Sequence, residues 1–124
     1  MEKILCVDDD PSLLRLYQDE LSEEGYKVIL AKDGKEALSK LAKEKPQVVV
    51  LDIRMPVMDG IGTLTAMLGI DRQIPVILNT AYPQYRENFM TWGAEAYVIK
   101  SSDLTELKQK IRAVLEKRKK LIKS

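Results

Sequence analysis

The feature that most constrains this chain is an alternation. Short, continuously apolar runs rich in β-branched residues recur at positions 4–7, 28–31, 48–51, 76–78 and 97–99, with segments of helical period between them. A strand that is apolar along its whole length needs cover on both faces, which a parallel sheet between helices provides. The intervening segments carry their own punctuation. Leu13, Leu14, Tyr17 and Leu21 form a stripe that starts behind Asp10-Pro11, an N-cap followed by an N1 proline, and stops at Gly25. Ala37, Leu38 and Leu41 stripe a second helix, opened by Asp33 and Glu36 as a variant capping box. A weaker third helix is expected from Ile61 to about Gly69, and a fourth from Pro83 to about Trp92. The fifth follows Leu104, Leu107, Ile111, Val114 and Leu115, with Ser102 as its expected N-cap.

Strict strand–helix alternation predicts an α/β fold with a parallel sheet and helices on both faces. Right-handed crossovers leave few topologies, and the flavodoxin-like (βα)5 three-layer sandwich of strand order 2-1-3-4-5 is the common one. The 124 residues suffice for one substantial core and not two, so 1–124 reads as a single domain.

Composition then excludes several functions. A net charge of +1 supplies no general field for nucleic acid or anionic lipid. No apolar run approaches the roughly 18 residues of a membrane span, and the first residues do not form a signal peptide, so a cytoplasmic setting is expected. Cys6, the single cysteine, has no partner for an internal disulfide and reads as a small buried apolar residue. The basic end, Lys117-Arg118-Lys119-Lys120, suits the C-terminal pole of a helix. The absence of histidine removes every triad or metal site that needs imidazole and leaves carboxylates and lysine as the available chemistry.

In such a fold the site lies beyond the carboxyl ends of the strands, where the strand order reverses. The first run ends in Asp8-Asp9-Asp10, the third in Asp52, the fourth in Asn79-Thr80 and the fifth in Lys100. Strands one and three are neighbours in the expected order, so their aspartates converge. Converging carboxylates repel, and a hard cation relieves the repulsion; magnesium usually keeps waters and accepts one or two carboxylates together with phosphate oxygens. Lys100 adds a positive charge and Thr80 a hydroxyl. Taken singly, each has an ordinary explanation: Asp10 as an N-cap, Thr80 as a helix cap, Lys100 as a surface lysine. Together they suit a multi-oxygen anion beside a carboxylate, best of all a phosphoryl group on that carboxylate. Flavin mononucleotide, the other ligand common in this fold, is disfavoured because three aspartates would repel its phosphate.

These residues resemble the receiver domains of two-component response regulators. The resemblance is carried by Val7-Asp8-Asp9-Asp10, by Leu51-Asp52-Ile53-Arg54-Met55-Pro56-Val57-Met58-Asp59-Gly60, by Asn79-Thr80-Ala81, and by Gly93 through Lys100. It implies that Asp52 accepts a phosphoryl group from a sensor histidine kinase or a phosphotransfer protein. Asp8, Asp9, Asp52 and the backbone carbonyl of Arg54 would hold Mg2+, for which Mn2+ can substitute. Lys100, the Thr80 hydroxyl and the Ala81 amide would contact the phosphoryl oxygens. Thr80 and Tyr97 match the switch pair, with Tyr97 expected half-buried and turning inward on phosphorylation. Arg54 and Tyr82 match positions that tune phosphoryl lifetime. The output surface would comprise the fourth helix, the fifth strand and the fifth helix, meeting an unspecified downstream protein or pairing a monomer into a weak dimer.

The chain departs from the family in two places. Lys100-Ser101 stands where a proline usually follows the lysine, and a trans peptide is expected because a non-proline cis bond costs about 2.5–4 kcal/mol. The stretch from Thr80 to Lys100 is also shorter than is usual, so a short fourth helix or a tight entry loop around Pro83 is expected. Tyr85, Phe89 and Trp92 could share one face of the fourth helix. No catalysis is expected beyond phosphorylation and dephosphorylation of Asp52. Aspartyl-phosphate phosphatases carry Asp-x-Asp-x-Thr, whereas Asp52-Ile53-Arg54 lacks the second carboxylate. The competing expectation is a receiver-like binding module that works without phosphorylation.

Overall fold

A computed structural model describes residues 1–53, 60–81 and 93–123. Its strands are β1 (Lys3–Val7), β2 (Lys27–Ala31), β3 (Val48–Leu51), β4 (Val76–Thr80) and β5 (Ala96–Ile99). Its helices are α1 (Pro11–Glu23), α2 (Gly34–Glu44), α3 (Gly60–Ile70) and α4 (Thr105–Lys123). Every strand pair is parallel and the order is β2-β1-β3-β4-β5, as the alternation predicts. The expected helix over 83–92 lies outside the described residues, and the expected fifth helix is α4.

The two-residue period of the strands sorts their side chains into two cores. Leu5, Val7, Val49, Leu51, Val76 and Leu78 pack with Ala37 and Leu41 of α2 and with Leu64 and Met67 of α3. The alternate residues Ile4, Cys6, Val48, Val50 and Ile77 pack with Leu14, Tyr17 and Leu21 of α1 and with Leu107 and Ile111 of α4. The sheet is therefore the middle of three layers. Cys6 is fully buried, and burial raises its thiol pKa far above the ordinary value, as befits a core residue. α1 and α4 are also joined by ion pairs, Glu20–Lys108 at 2.8 Å and Glu24–Arg112 at 3.7 Å, each contributing little at a wet surface.

Local signals explain most boundaries. The Asp10 side chain accepts from the Ser12 amide at 2.9 Å, and the Asp33 side chain accepts from the Glu36 amide at 2.9 Å. Glu36 reaches back to the Lys32 amide at 3.3 Å rather than to Asp33, so the box closes one residue early. α2 ends on Lys45 in the left-handed region at φ 49, a conformation that glycine adopts without steric cost. Gly93, at φ 93, leaves no room for a Cβ: one built there would lie 2.6 Å from Leu68 Cδ1.

One cap differs from expectation. Asp103, not Ser102, closes the start of α4, accepting from the Thr105 amide at 3.0 Å and its hydroxyl at 2.6 Å. A carboxylate accepts more strongly than a hydroxyl, and these bonds hold the Asp103 carboxyl below its usual pKa.

Candidate functional site

Parallel strands deliver their last residues to one rim. The Asp8 amide donates to the Ala31 carbonyl and the Asp52 amide to the Val7 carbonyl, each at 3.1 Å, so the ladder runs one residue beyond β1 and β3. This carries Asp8 and Asp52 to adjacent positions. On the other side, the Lys100 amide donates to the Thr80 carbonyl at 2.7 Å and ties the end of β5 to the end of β4. Thr80 is fully buried as the last residue of β4, and Ala81 follows it exposed.

The side chains converge as expected. Carboxylate oxygens of Asp8, Asp9 and Asp52 lie within 4.8 Å of one another. Asp8 and Asp52 are buried, whereas Asp9 is exposed. Lys100 Nζ sits 2.8 Å from Asp8 Oδ2 and 2.8 Å from Asp52 Oδ2. The Lys100–Ser101 peptide is trans, and the ammonium reaches both carboxylates. Asp8 Oδ1 also accepts from the Asp10 amide at 2.9 Å, which folds the acidic loop back on itself.

Among the described residues the cluster is short of positive charge, with one ammonium facing three carboxylates. Burial raises the Asp8 carboxyl above its ordinary value, and the bonds from Lys100 and the Asp10 amide oppose that rise without cancelling it. Burial presses the Lys100 ammonium down, but Asp52 and Asp8 outweigh it, so its pKa is raised and it stays charged. A set of close oxygen donors with surplus negative charge suits a hard divalent cation. The residues present therefore fit such an ion.

Tyr97 differs from the half-buried residue expected. It is 6% exposed and belongs to the core shared with α2 and α3, so it already lies inside in this conformation. Arg54 and Tyr82 lie outside the described residues, as do Tyr85, Phe89 and Trp92.

One buried polar pair beside the site has no counterpart in the sequence reading. Asn79 Nδ2 donates to the Tyr17 hydroxyl at 2.7 Å, joining β4 to α1. The available signal is an asparagine inside the otherwise apolar run before Thr80.

A family model for the response regulator receiver domain matches residues 4–112. The chain belongs to the receiver domain family. Among solved receiver domains, TrrA from Thermotoga maritima in complex with Mg(2+)-BeF superposes with a TM-score of 0.86 at 38% identity, covering 92% of this chain and 99% of that one. TrrA in complex with the histidine kinase ThkA matches with a TM-score of 0.85 at 39% identity, covering 93% and 99%. A probable transcriptional regulator, ycf27 of Guillardia theta, is 40% identical over 118 residues, 94% of this chain and 46% of that protein. This receiver domain spans about half the length of the curated relatives it matches. Among the described residues no helix is long and apolar enough to cross a membrane.

Proposed function

We propose that this receiver domain is a phosphoacceptor switch, with Asp52 taking a phosphoryl group from the phosphohistidine of a sensor kinase or phosphotransfer protein. The observation that carries this reading is Lys100 Nζ at 2.8 Å from both Asp52 and Asp8, inside a cluster of three converging carboxylates. An Asp52 oxygen attacks phosphorus in line, the phosphorus–nitrogen bond breaks, and the released imidazole of the donor takes up a proton. Phosphoryl transfer asks little covalent chemistry of a protein; positioning and charge neutralisation supply most of the acceleration.

Each residue has a share. Asp8, Asp9 and Asp52, with the Arg54 carbonyl, would hold Mg2+, with Mn2+ as a substitute. When bound, the cation neutralises charge on the carboxylates and the phosphoryl oxygens. Lys100 moves its bonds from the carboxylates to the new phosphoryl oxygens, and the Thr80 hydroxyl and Ala81 amide donate to another. The Thr80 displacement biases the core around Tyr97 and reshapes the surface near β5 and α4, a population shift between existing states. Tyr82 and Arg54 set how readily water removes the group, and self-phosphorylation and hydrolysis at Asp52 are the whole catalytic repertoire. The setting is cytoplasmic, and the output is a protein contact made by a monomer or a weak dimer.

Intact mass after incubation with acetyl phosphate and magnesium tests this reading. One phosphoryl adduct is expected, absent in Asp52→Asn and absent with a chelator. No adduct at any time, with a kinase donor as well, would favour a binding module independent of phosphorylation.

A further inference from the structure

β4 reads Val76-Ile77-Leu78-Asn79-Thr80, and Asn79 is as buried as its apolar neighbours, at 3% exposure. Its amide meets the hydroxyl of Tyr17, itself 1% exposed, across 62 positions of sequence. A buried polar pair adds little net stability over an apolar pair of the same shape, because both groups give up water to meet. What it adds is direction: a hydrogen bond holds one orientation where an apolar contact tolerates many.

The direction matters because of what each end adjoins. Asn79 immediately precedes Thr80, whose carbonyl holds the Lys100 amide. Tyr17 stands on α1, which begins directly behind the acidic loop and is capped by Asp10. The bond thus links the helix that follows Asp8 and Asp9 to the strand end that carries Thr80. It does so on the α1 face of the sheet, as a contact between helix and strand. Burial, reinforced by the nearby Asp8 charge, raises the Tyr17 pKa, so the hydroxyl remains neutral at physiological pH.

We propose that Tyr17 and Asn79 are positioning residues that hold the end of β4 so that the Thr80 hydroxyl meets the phosphoryl group on Asp52. The inference rests on the phosphoacceptor reading and names a control on that site. It separates two binding events. Magnesium alone needs the carboxylates and is indifferent to Thr80. A phosphoryl mimic in the presence of magnesium needs Thr80 in place.

The experiment uses the whole chain and Tyr17→Phe, Asn79→Leu and the double variant. Three quantities are measured on each: magnesium affinity, beryllofluoride affinity in saturating magnesium, and the melting temperature without ligand. Both single variants are expected to keep wild-type magnesium affinity within about twofold and to lose about tenfold in beryllofluoride affinity. Both also melt lower. In the double variant neither polar group is left unpaired, so the melting temperature recovers while beryllofluoride affinity stays low. Recovery of both together would overturn the proposal, since the pair would then be only part of the core. A parallel loss of magnesium affinity would also overturn it, by placing the effect at the acidic loop. If Tyr17→Phe does not fold, the double variant decides alone. Wild-type protein that binds magnesium but no beryllofluoride would fail the phosphoacceptor reading itself, whereas wild-type binding shared equally by all variants would fail only the positioning role.

Discussion

Two buried polar groupings stand at the same end of the sheet and differ in kind. Asp8, Asp9, Asp52 and Lys100 form a charged cluster that opens to solvent at Asp9; Tyr17 and Asn79 form a neutral pair sealed between α1 and β4. In the pair the amide proton has its acceptor. Among the described residues the cluster is electrically incomplete, since one ammonium cannot balance three carboxylates. Incompleteness of this kind is characteristic of a site kept for a ligand, because the same atoms would be cheaper to bury neutral. Function and stability should therefore respond oppositely in the two places. Removing a negative charge from the cluster costs function and relieves the fold, while removing a polar group from the pair strains the fold first.

The largest effect is expected at Asp52. Asp52→Asn abolishes the phosphoryl adduct in intact-mass measurements while leaving the chain folded, and any adduct on that variant would move the acceptor elsewhere. Lys100→Ala comes next, as the removal of the one cation that the described residues bring to the cluster. Loss of one charged group aimed at developing charge costs about 100-fold or more in rate, so phosphorylation by acetyl phosphate should slow by that order. The same variant should be less stable without divalent ions by about 2 kcal/mol, because Asp8 is left buried with less compensation. Magnesium should restore much of that loss. A Lys100→Ala protein as stable as wild type in chelator would mean that the cluster is well solvated, and the contrast with the neutral pair would weaken.

Tyr17→Phe addresses the other side. It removes one hydroxyl and leaves the Asn79 amide buried without its acceptor, at a cost of about 1–3 kcal/mol in chemical denaturation. The partnered change to Phe and Leu should regain most of it. Equal losses in the single and double variants would show that packing volume, not the hydrogen bond, sets the value.

How much of this was legible in the sequence follows from how local each cause is. The parallel sheet is legible because strands such as Val48–Leu51 are apolar throughout and are followed by a charged residue, a pattern that needs only a few neighbouring positions. Its order follows as the common right-handed topology. The convergence of Asp8, Asp52 and Lys100 follows once the order is known, because parallel strands bring their ends to one rim. Tyr17 is harder: it falls at helical spacing with Leu14 and Leu21, where an aromatic ring fits an apolar stripe and nothing marks its hydroxyl. Its partner lies 62 positions away, and only the closed fold brings them together. The burial of Tyr97 is hidden for a similar reason, since exposure on the edge strand β5 depends on what packs over it. The cap of α4 is a closer failure: Ser102 and Asp103 are adjacent acceptors, and a one-residue shift of the helix start chooses between them. Arg54 and Tyr82 lie outside the described residues, so their roles rest on the family resemblance.

The smallest expected effect is the sharpest test of the charged cluster. Asp8 ionises at a higher pH in the folded chain than its ordinary 3.8, so the folded state holds that proton more tightly than the unfolded state does. Its contribution then favours folding fully below about pH 3.8 and is lost as pH rises through the folded value. At neutral pH, without divalent ions, the ionised Asp8 weakens the fold. Asp8→Asn has no such ionisation and leaves Lys100 its bond to Asp52, so it should melt above wild type at pH 7 in chelator. The gap should close as pH falls, because wild-type Asp8 becomes neutral too. Added magnesium should raise the wild-type melting temperature and leave the variant nearly unmoved, reversing their order. A variant that melts below wild type at pH 7 in chelator would show that attraction between Lys100 and Asp8 outweighs the burial of the charge. The cluster would then be as self-sufficient as the Tyr17–Asn79 pair, and its need for a cation would have to be argued from the phosphoryl group alone.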